Sequence, residues 1–440
     1  MKYYSTNGKA PIADLHKAVV KGLAEDRGLY MPEKINKLPK EFFDNIEKMS
    51  FQEIAYTVAS AFFGEDVDPD ALHDIVYDTL QFDCPVVNVK DNIYTLELFH
   101  GPTLAFKDVG ARFMARLLQY FIKQENNHKE VNVLVATSGD TGSAVANGFL
   151  GVDGIHVYVL YPKGKVSPIQ ECQFTTLGKN ITAIEVDGVF DDCQALVKNA
   201  FMDAELNEHM KLTSANSINV ARFLPQAFYY FNAYARMKEI ANTQHLSPNT
   251  QLVMCVPSGN FANICAALFG HEMGLPIKRF IAANNANDIF YNYLQTGKYE
   301  PKPSKQTLAN AMDVGDPSNF ARIYDLYGKS HAKITSLISG ATYSDEQIKA
   351  TMRECYKDSG YILDPHGACG YQALKDGLQA GEVGVFCETA HPAKFKEKVD
   401  DILGIDVEIP ERLAAFMRGQ KQSVPMSKDF ADFKAFLMKQ

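Results

Sequence analysis

The sequence predicts an α/β protein in which helices cover parallel sheets. Two observations carry this expectation. Short β-branched runs recur from about residue 130 onward, and the stretches between them have helical periodicity and enough length for right-handed crossovers. The chain opens differently: helical patterns at 13–22, Phe51–Phe63 and 69–80 precede any clear strand, so a helical N-terminal region is expected. Strands follow at Val131–Ala136, 155–161 and 181–186, then a helix at 192–202. The pattern resumes with a helix at 224–241, a strand at 251–256, a helix at 260–271 and a strand at 280–283. Segment 299–306, Y-E-P-K-P-S-K-Q, reads as a linker loop, and 411–440 reads as a helical tail. The expected organisation is therefore a helical region over 1–95, an α/β subdomain over 96–205, a larger one over 206–410 and a tail over 411–440.

A chain of 440 residues is long enough for a sizeable core and two or three domains. With 46% hydrophobic and 22% charged residues, a mainly disordered chain is excluded. Lys and Arg total 44 against 53 Asp and Glu, a net charge of −9, and no basic run tracks a phosphate backbone. Nucleic acid is not an expected partner. The first residues are polar and no apolar stretch approaches the ~18 residues of a membrane span, so a cytoplasmic protein without a membrane partner is expected. The eight cysteines lack the two-residue spacing of zinc or redox pairs and read as buried thiols. The histidines are scattered and no His-Glu-x-x-His occurs, so no metal is expected.

Five segments could carry chemistry. In 97–110, E-L-F-H-G-P-T-L-A-F-K-D-V-G, Lys107 sits between apolar residues and Asp108. A partly desolvated amine is a usable nucleophile and base; a solvated lysine at a helix start is the plainer alternative. Segment 135–148, V-A-T-S-G-D-T-G-S-A-V-A-N-G, runs from a strand through small hydroxylated residues into a helix, a design whose exposed amides suit an anion. Segment 256–270, V-P-S-G-N-F-A-N-I-C-A-A-L-F-G, repeats it. Segment 212–222, L-T-S-A-N-S-I-N-V-A-R, groups amide, hydroxyl and guanidinium, which suits phosphate or equally an ordinary helix cap with a surface arginine. In C-E-T-A-H-P-A-K-F, Thr389 ends a short strand and means nothing alone.

Together these segments resemble the pyridoxal-phosphate enzymes of the tryptophan-synthase-β type, and within them the threonine synthases. H-G-P-T-L-A-F-K-D, T-S-G-D-T-G, N-S-I-N-x-x-R, S-G-N-F and T-A-H-P-A-K-F all occur in the family's order, and the resemblance begins at Y-Y-S-T-N-G and G-L-A-E-D-R-G-L-Y-M-P. It implies fold type II: two parallel-type open sheets with flanking helices. It further implies that Lys107 holds pyridoxal 5'-phosphate as a Schiff base and moves protons between substrate carbons.

Other roles follow from the same resemblance. Ser258, Gly259, Asn260, Phe261, Ala262 and Asn263 match the loop that holds the cofactor phosphate. Ala262 departs from the glycine usual there, and its methyl group requires a negative φ. Thr389 matches the hydroxyl residue beside the pyridine nitrogen, and Asp140 falls near the cofactor's 3′-oxygen, where a carboxylate would need a proton or a nearby cation. Ser138, Thr141, Asn216, Ser217 and Arg222 match the groups around the substrate O-phospho-L-homoserine, with Asn219 shaping the loop. Lys163 or Lys165 either joins the phosphate pocket or is a solvated loop lysine. The implied reaction is γ-elimination of phosphate and β-addition of water to give L-threonine. The alternative is a phospholyase-like relative that releases 2-oxobutyrate and phosphate. A monomer is expected rather than a dimer.

Overall fold

The computed structural model describes residues 1–127 and 129–440. They form two compact units. The first comprises Met1, 31–101 and 223–408; the second comprises 2–30, 102–222 and 409–440. The N-terminal hundred residues are thus shared between both.

The first unit is built on a six-stranded sheet in the order Ile338–Thr342, Arg279–Asn284, Gln251–Pro257, Glu382–Glu388, Ile93–Glu97, Val86–Lys90. All neighbours are parallel except the last pair, which is antiparallel. The inner strands are buried on both faces, which is why 251–256 reads as an apolar run without alternation. Helices Phe51–Phe63 and Pro69–Thr79 form as the sequence predicts, the first with a capping box between Ser50 and Glu53, the second with Asp68 as cap before Pro69. The sheet begins at Val86, earlier than the helical N-terminal pattern suggests. Region 299–306 carries no regular structure, and Tyr299 stacks on Phe320 with ring centroids 4.0 Å apart.

The second unit is built on a five-stranded, all-parallel sheet in the order Val424–Ser427, Ile181–Asp187, Ile155–Pro162, Val131–Ala136, Lys211–Ser214. Its core joins Leu134, Leu160, Ile184, Leu196, Phe433 and Leu437. The expected helical tail is interrupted: Val424–Ser427 pairs with Ile181–Asp187 between helices Glu411–Met417 and Phe430–Leu437. An edge position tolerates Pro425, and the strand is too short and too exposed to announce itself by alternation. The helix expected at 13–22 starts at Leu15, capped by Asp14, because Ala13 and Asp14 pair with Lys2 and Tyr3.

In each sheet the chain steps outward in one direction and returns on the other side of its starting strand. For the first unit this reversal lies between Gln251–Pro257 and Glu382–Glu388, and for the second between Val131–Ala136 and Lys211–Ser214. Strand carboxyl ends at such a reversal are left uncovered by crossovers and are where open α/β sheets bind ligands.

Candidate active site

Lys107 opens an 18-residue helix, Lys107–Gln124. The turn before it is shaped by Leu104 in the left-handed region, at φ 61, and by the buried carboxylate of Asp108. That carboxylate accepts the Thr103 backbone N–H at 2.9 Å and the Thr103 hydroxyl at 2.5 Å. The closure fixes where the helix starts and so where the lysine stem leaves it. The half-buried amine donates to Thr141 Oγ1 at 2.7 Å. Gly110 lies one turn along the same face. There the backbone carbonyl of Arg222 occupies the space a Cβ would take, with Arg222 Nε 3.6 Å from that point. Arg222 is 1% exposed.

The loop after Val131–Ala136 has Gly139 at φ 148, a conformation that favours glycine. Thr137 Oγ1 accepts the N–H groups of Gly139 and Gly142 at 2.9 and 2.8 Å. The amides of Asp140 and Thr141 then head helix Asp140–Phe149, at the positive end of its dipole. Asp140 is buried, and Gln170 Nε2 donates to its Oδ1 at 3.1 Å, so a side-chain amide faces the carboxylate that the sequence leaves in need of a partner. Ser138 is exposed and Thr141 half-buried.

The loop after Lys211–Ser214 leaves from the neighbouring strand. Asn219 is buried and held on three sides, donating to Val19 and Ser214 carbonyls at 2.9 and 3.3 Å and accepting from Ala221 N–H at 2.9 Å. Its side chain shapes the turn that presents half-buried Asn216 and Ser217. Lys163 and Lys165 are both exposed.

In the first unit, Ser258 follows strand Gln251–Pro257 and Thr389 follows Glu382–Glu388. These strands are register neighbours, with Cys255 opposite Phe386, so both residues leave the sheet at its reversal. Ser258 Oγ donates to Asn263 Oδ1 at 2.8 Å, and Asn263 also donates to the Pro257 carbonyl and accepts Ile264 N–H. Asn260 accepts the Ser318 and Asn319 amides at 2.7 and 3.3 Å. These side chains hold the loop, and the backbone amides at the head of the 11-residue helix Ala262–Glu272 are what it offers a ligand. The left-handed residue is Phe261, at φ 68, while Ala262 is the first helical residue, so its methyl group is accommodated. A Cβ on Gly259 would lie 2.7 Å from the Ala311 carbonyl oxygen and 2.8 Å from Met312 Cα.

Comparison with known proteins now decides the family. The model for pyridoxal-phosphate dependent enzymes matches residues 82–387, that for the threonine synthase N terminus 2–80, and that for the threonine synthase C-terminal region 367–437. The chain is 43% identical to the threonine synthases of Serratia marcescens and Haemophilus influenzae, across 100% of its own length and 99% and 100% of theirs. It belongs to the threonine synthase family. The crystal structure of threonine synthase from Escherichia coli superposes with a TM-score of 0.91 at 43% identity, each chain covered completely. The pyridoxal-phosphate-bound threonine synthase from Brucella melitensis gives 0.91 at 33% identity, covering 100% of this chain and 99% of that one. This threonine synthase family member is a pyridoxal-phosphate-dependent lyase of fold type II.

The residues present suit that cofactor. A helix N-terminus behind a glycine that lets the loop lie against 311–312 supplies amides to a phosphate ester, and the amine of Lys107 is the nucleophile a carbonyl cofactor requires. Sequence reasoning passed over Thr137, whose side-chain bonds are local to its loop, and Gln170 and Gly110, whose partners Asp140 and Arg222 are distant along the chain. Among the described residues no group of three or more His, Cys, Asp or Glu could hold a metal ion, and no helix is long and apolar enough to cross a membrane.

Proposed function

We propose that this chain converts O-phospho-L-homoserine and water into L-threonine and inorganic phosphate. The supporting observation is the patch at the head of helix Lys107–Gln124: an amine donating to Thr141 Oγ1 at 2.7 Å, with Arg222 packed on Gly110 one turn away. Amine, hydroxyl and guanidinium belong to one unit and suit a substrate that carries both an amino acid and a phosphate.

Bound pyridoxal phosphate supplies an electron sink that acidifies the carbon bearing the substrate amine. Lys107, basic and long-stemmed, takes the proton from that carbon and then one from Cβ as phosphate leaves Cγ, and returns protons to Cγ and, once water has added at Cβ, to Cα. Thr141 accepts from the lysine nitrogen and so keeps its lone pair directed while it is not bonded to carbon. Arg222 forks the substrate phosphate and holds it as the Cγ–O bond breaks. Ser138, Asn216 and Ser217 orient the carboxylate, and water adds at Cβ. For the cofactor itself, the backbone amides of 258–263 would hold its phosphate, Asp140, met by Gln170, would serve its 3′-oxygen, and Thr389 would offer its pyridine nitrogen a neutral hydroxyl.

The test is to mix cofactor-loaded protein with O-phospho-L-homoserine and measure phosphate, L-threonine and 2-oxobutyrate. Equal amounts of phosphate and threonine are expected. Phosphate with 2-oxobutyrate would replace this reading by the phospholyase one.

A further inference from the structure

The first unit contains a buried polar relay that neither the reaction nor the helix it caps requires. Asp364 is the N-cap of helix Pro365–Gly377, its Oδ1 accepting Gly367 N–H at 2.8 Å. Its Oδ2 lies 2.6 Å from His366 Nδ1. The other ring nitrogen, Nε2, accepts the backbone N–H of Ala311 at 3.1 Å, which puts the ring proton on Nδ1, where it is donated to Asp364. Ala311 is the residue whose carbonyl backs Gly259. At the far end of the relay, the Glu388 carboxyl fills the space beside Gly367 and faces Asp364. Glu388 immediately precedes Thr389. Burial, together with the Asp364 carboxylate, pushes the Glu388 carboxyl well above the usual range, and both its oxygens are buried without a hydrogen bond.

Each member is buried: Asp364 and Glu388 are 0% exposed and His366 2%. A helix cap needs Asp364 alone. Burying a second carboxyl and an imidazole beside it is unfavourable unless the network fixes something else. What it connects is Thr389, through Glu388, to Gly259, through Ala311. The 307–313 segment is pinned independently by Asp313, whose Oδ1 accepts from Thr307 Oγ1 at 2.7 Å and from Asn285 Nδ2 at 2.9 Å. His366 therefore bears on an already ordered turn.

We propose that Glu388, Asp364 and His366 are positioning residues that set the spacing between the phosphate loop at Gly259 and Thr389, and thereby the affinity and electronic state of bound pyridoxal phosphate. The inference rests on the reading of 258–263 and Thr389 as cofactor residues. The substitutions separate contact from bulk. His366→Gln can accept from Ala311 and donate to Asp364; His366→Asn keeps a partner for Asp364 but falls short of Ala311. Glu388→Gln keeps a polar group of the same shape beside Gly367 and Asp364; Glu388→Leu does not.

The full-length apo-protein is titrated with pyridoxal phosphate, following absorbance for both affinity and band position, and its unfolding temperature is recorded alongside. His366→Asn and Glu388→Leu are expected to weaken the cofactor by about tenfold or more and to move its absorbance band, while the two Gln variants stay near wild type. Should Glu388→Leu fail to fold, the His366→Asn and His366→Gln pair decides the matter. Wild-type affinity and an unmoved band in folded His366→Asn would overturn the proposal, as would equal losses in the Gln variants. Failure of the wild type itself to take up pyridoxal phosphate would instead remove the cofactor reading beneath it.

Discussion

The carbonyl oxygen of Arg222 rests against the α-carbon of Gly110, in the space that a side chain would need. Because Gly110 follows Lys107 by one turn, this contact places the arginine backbone on the helix face that carries the lysine. Gly110→Ala is expected to push the 216–222 loop outward. Overpacking of this kind costs about 1–3 kcal/mol, so the melting temperature should fall. KM for O-phospho-L-homoserine should rise while cofactor affinity holds. A lowered melting temperature with unchanged KM would mean that the contact is only packing.

Lys107→Ala is expected to fold, since the turn before it is closed by Asp108 and Thr103 rather than by the amine. Turnover should vanish. Borohydride reduction of the cofactor-loaded wild type followed by peptide mapping should find the pyridoxyl group on Lys107, and a label on another lysine would refute the assignment.

Arg222→Ala should separate the two phosphates. Removing a charge-assisted, forked contact costs on the order of 1.5–3 kcal/mol, a loss of roughly tenfold to a hundredfold in substrate affinity. The cofactor's dissociation constant should change little, because the 258–263 loop belongs to different elements. Comparable losses of both ligands would show that the two anion sites have been exchanged.

Acid stability has an identifiable contributor in Glu382. Its buried carboxylate is gripped by Arg279 through two contacts, at 2.9 and 2.7 Å, and by Lys278 at 3.0 Å. The Arg279 hydrogen bonds, with that of Lys278 and against the opposing effect of burial, lower its pKa to about 2. A carboxyl depressed on folding contributes stability that is complete above its ordinary value of 4.5 and is lost as pH falls from there toward 2. Glu382→Gln should therefore destabilise the protein at neutral pH, by about 3 kcal/mol, and flatten the decline below pH 4.5 in chemical denaturation. Parallel curves for the two proteins would contradict this.

The inner strands were legible because a strand buried on both faces has no choice but to be apolar: 131–136, 155–161 and 251–256 each lie within one residue of the observed bounds. Strand Val424–Ser427 was not, since its proline and its partial exposure are permitted only by the edge it occupies, which local sequence does not reveal. In the 258–263 loop the left-handed residue is Phe261 rather than its neighbour Ala262, because an aromatic residue in the left-handed region is not anticipated from residue type. Gln170 on Asp140 and Ala311 on His366 are long-range pairings, and D-P-H-G on its own reads as nothing more than a helix start.

The position of Val424–Ser427 bears on how the molecule is made. A ribosome delivers this strand after every residue of the first unit has emerged, so the sheet of the second unit stays open along Ile181–Asp187 until residues 424–427 arrive. Translation halted between residues 409 and 423 would release a product with the lysine, both loops and Thr389 in place, yet with a row of unsatisfied amides and carbonyls facing solvent. Such an open edge is a template for strands of other nascent chains. Residues 424–427 thus act as the seam that closes this side of Ile181–Asp187.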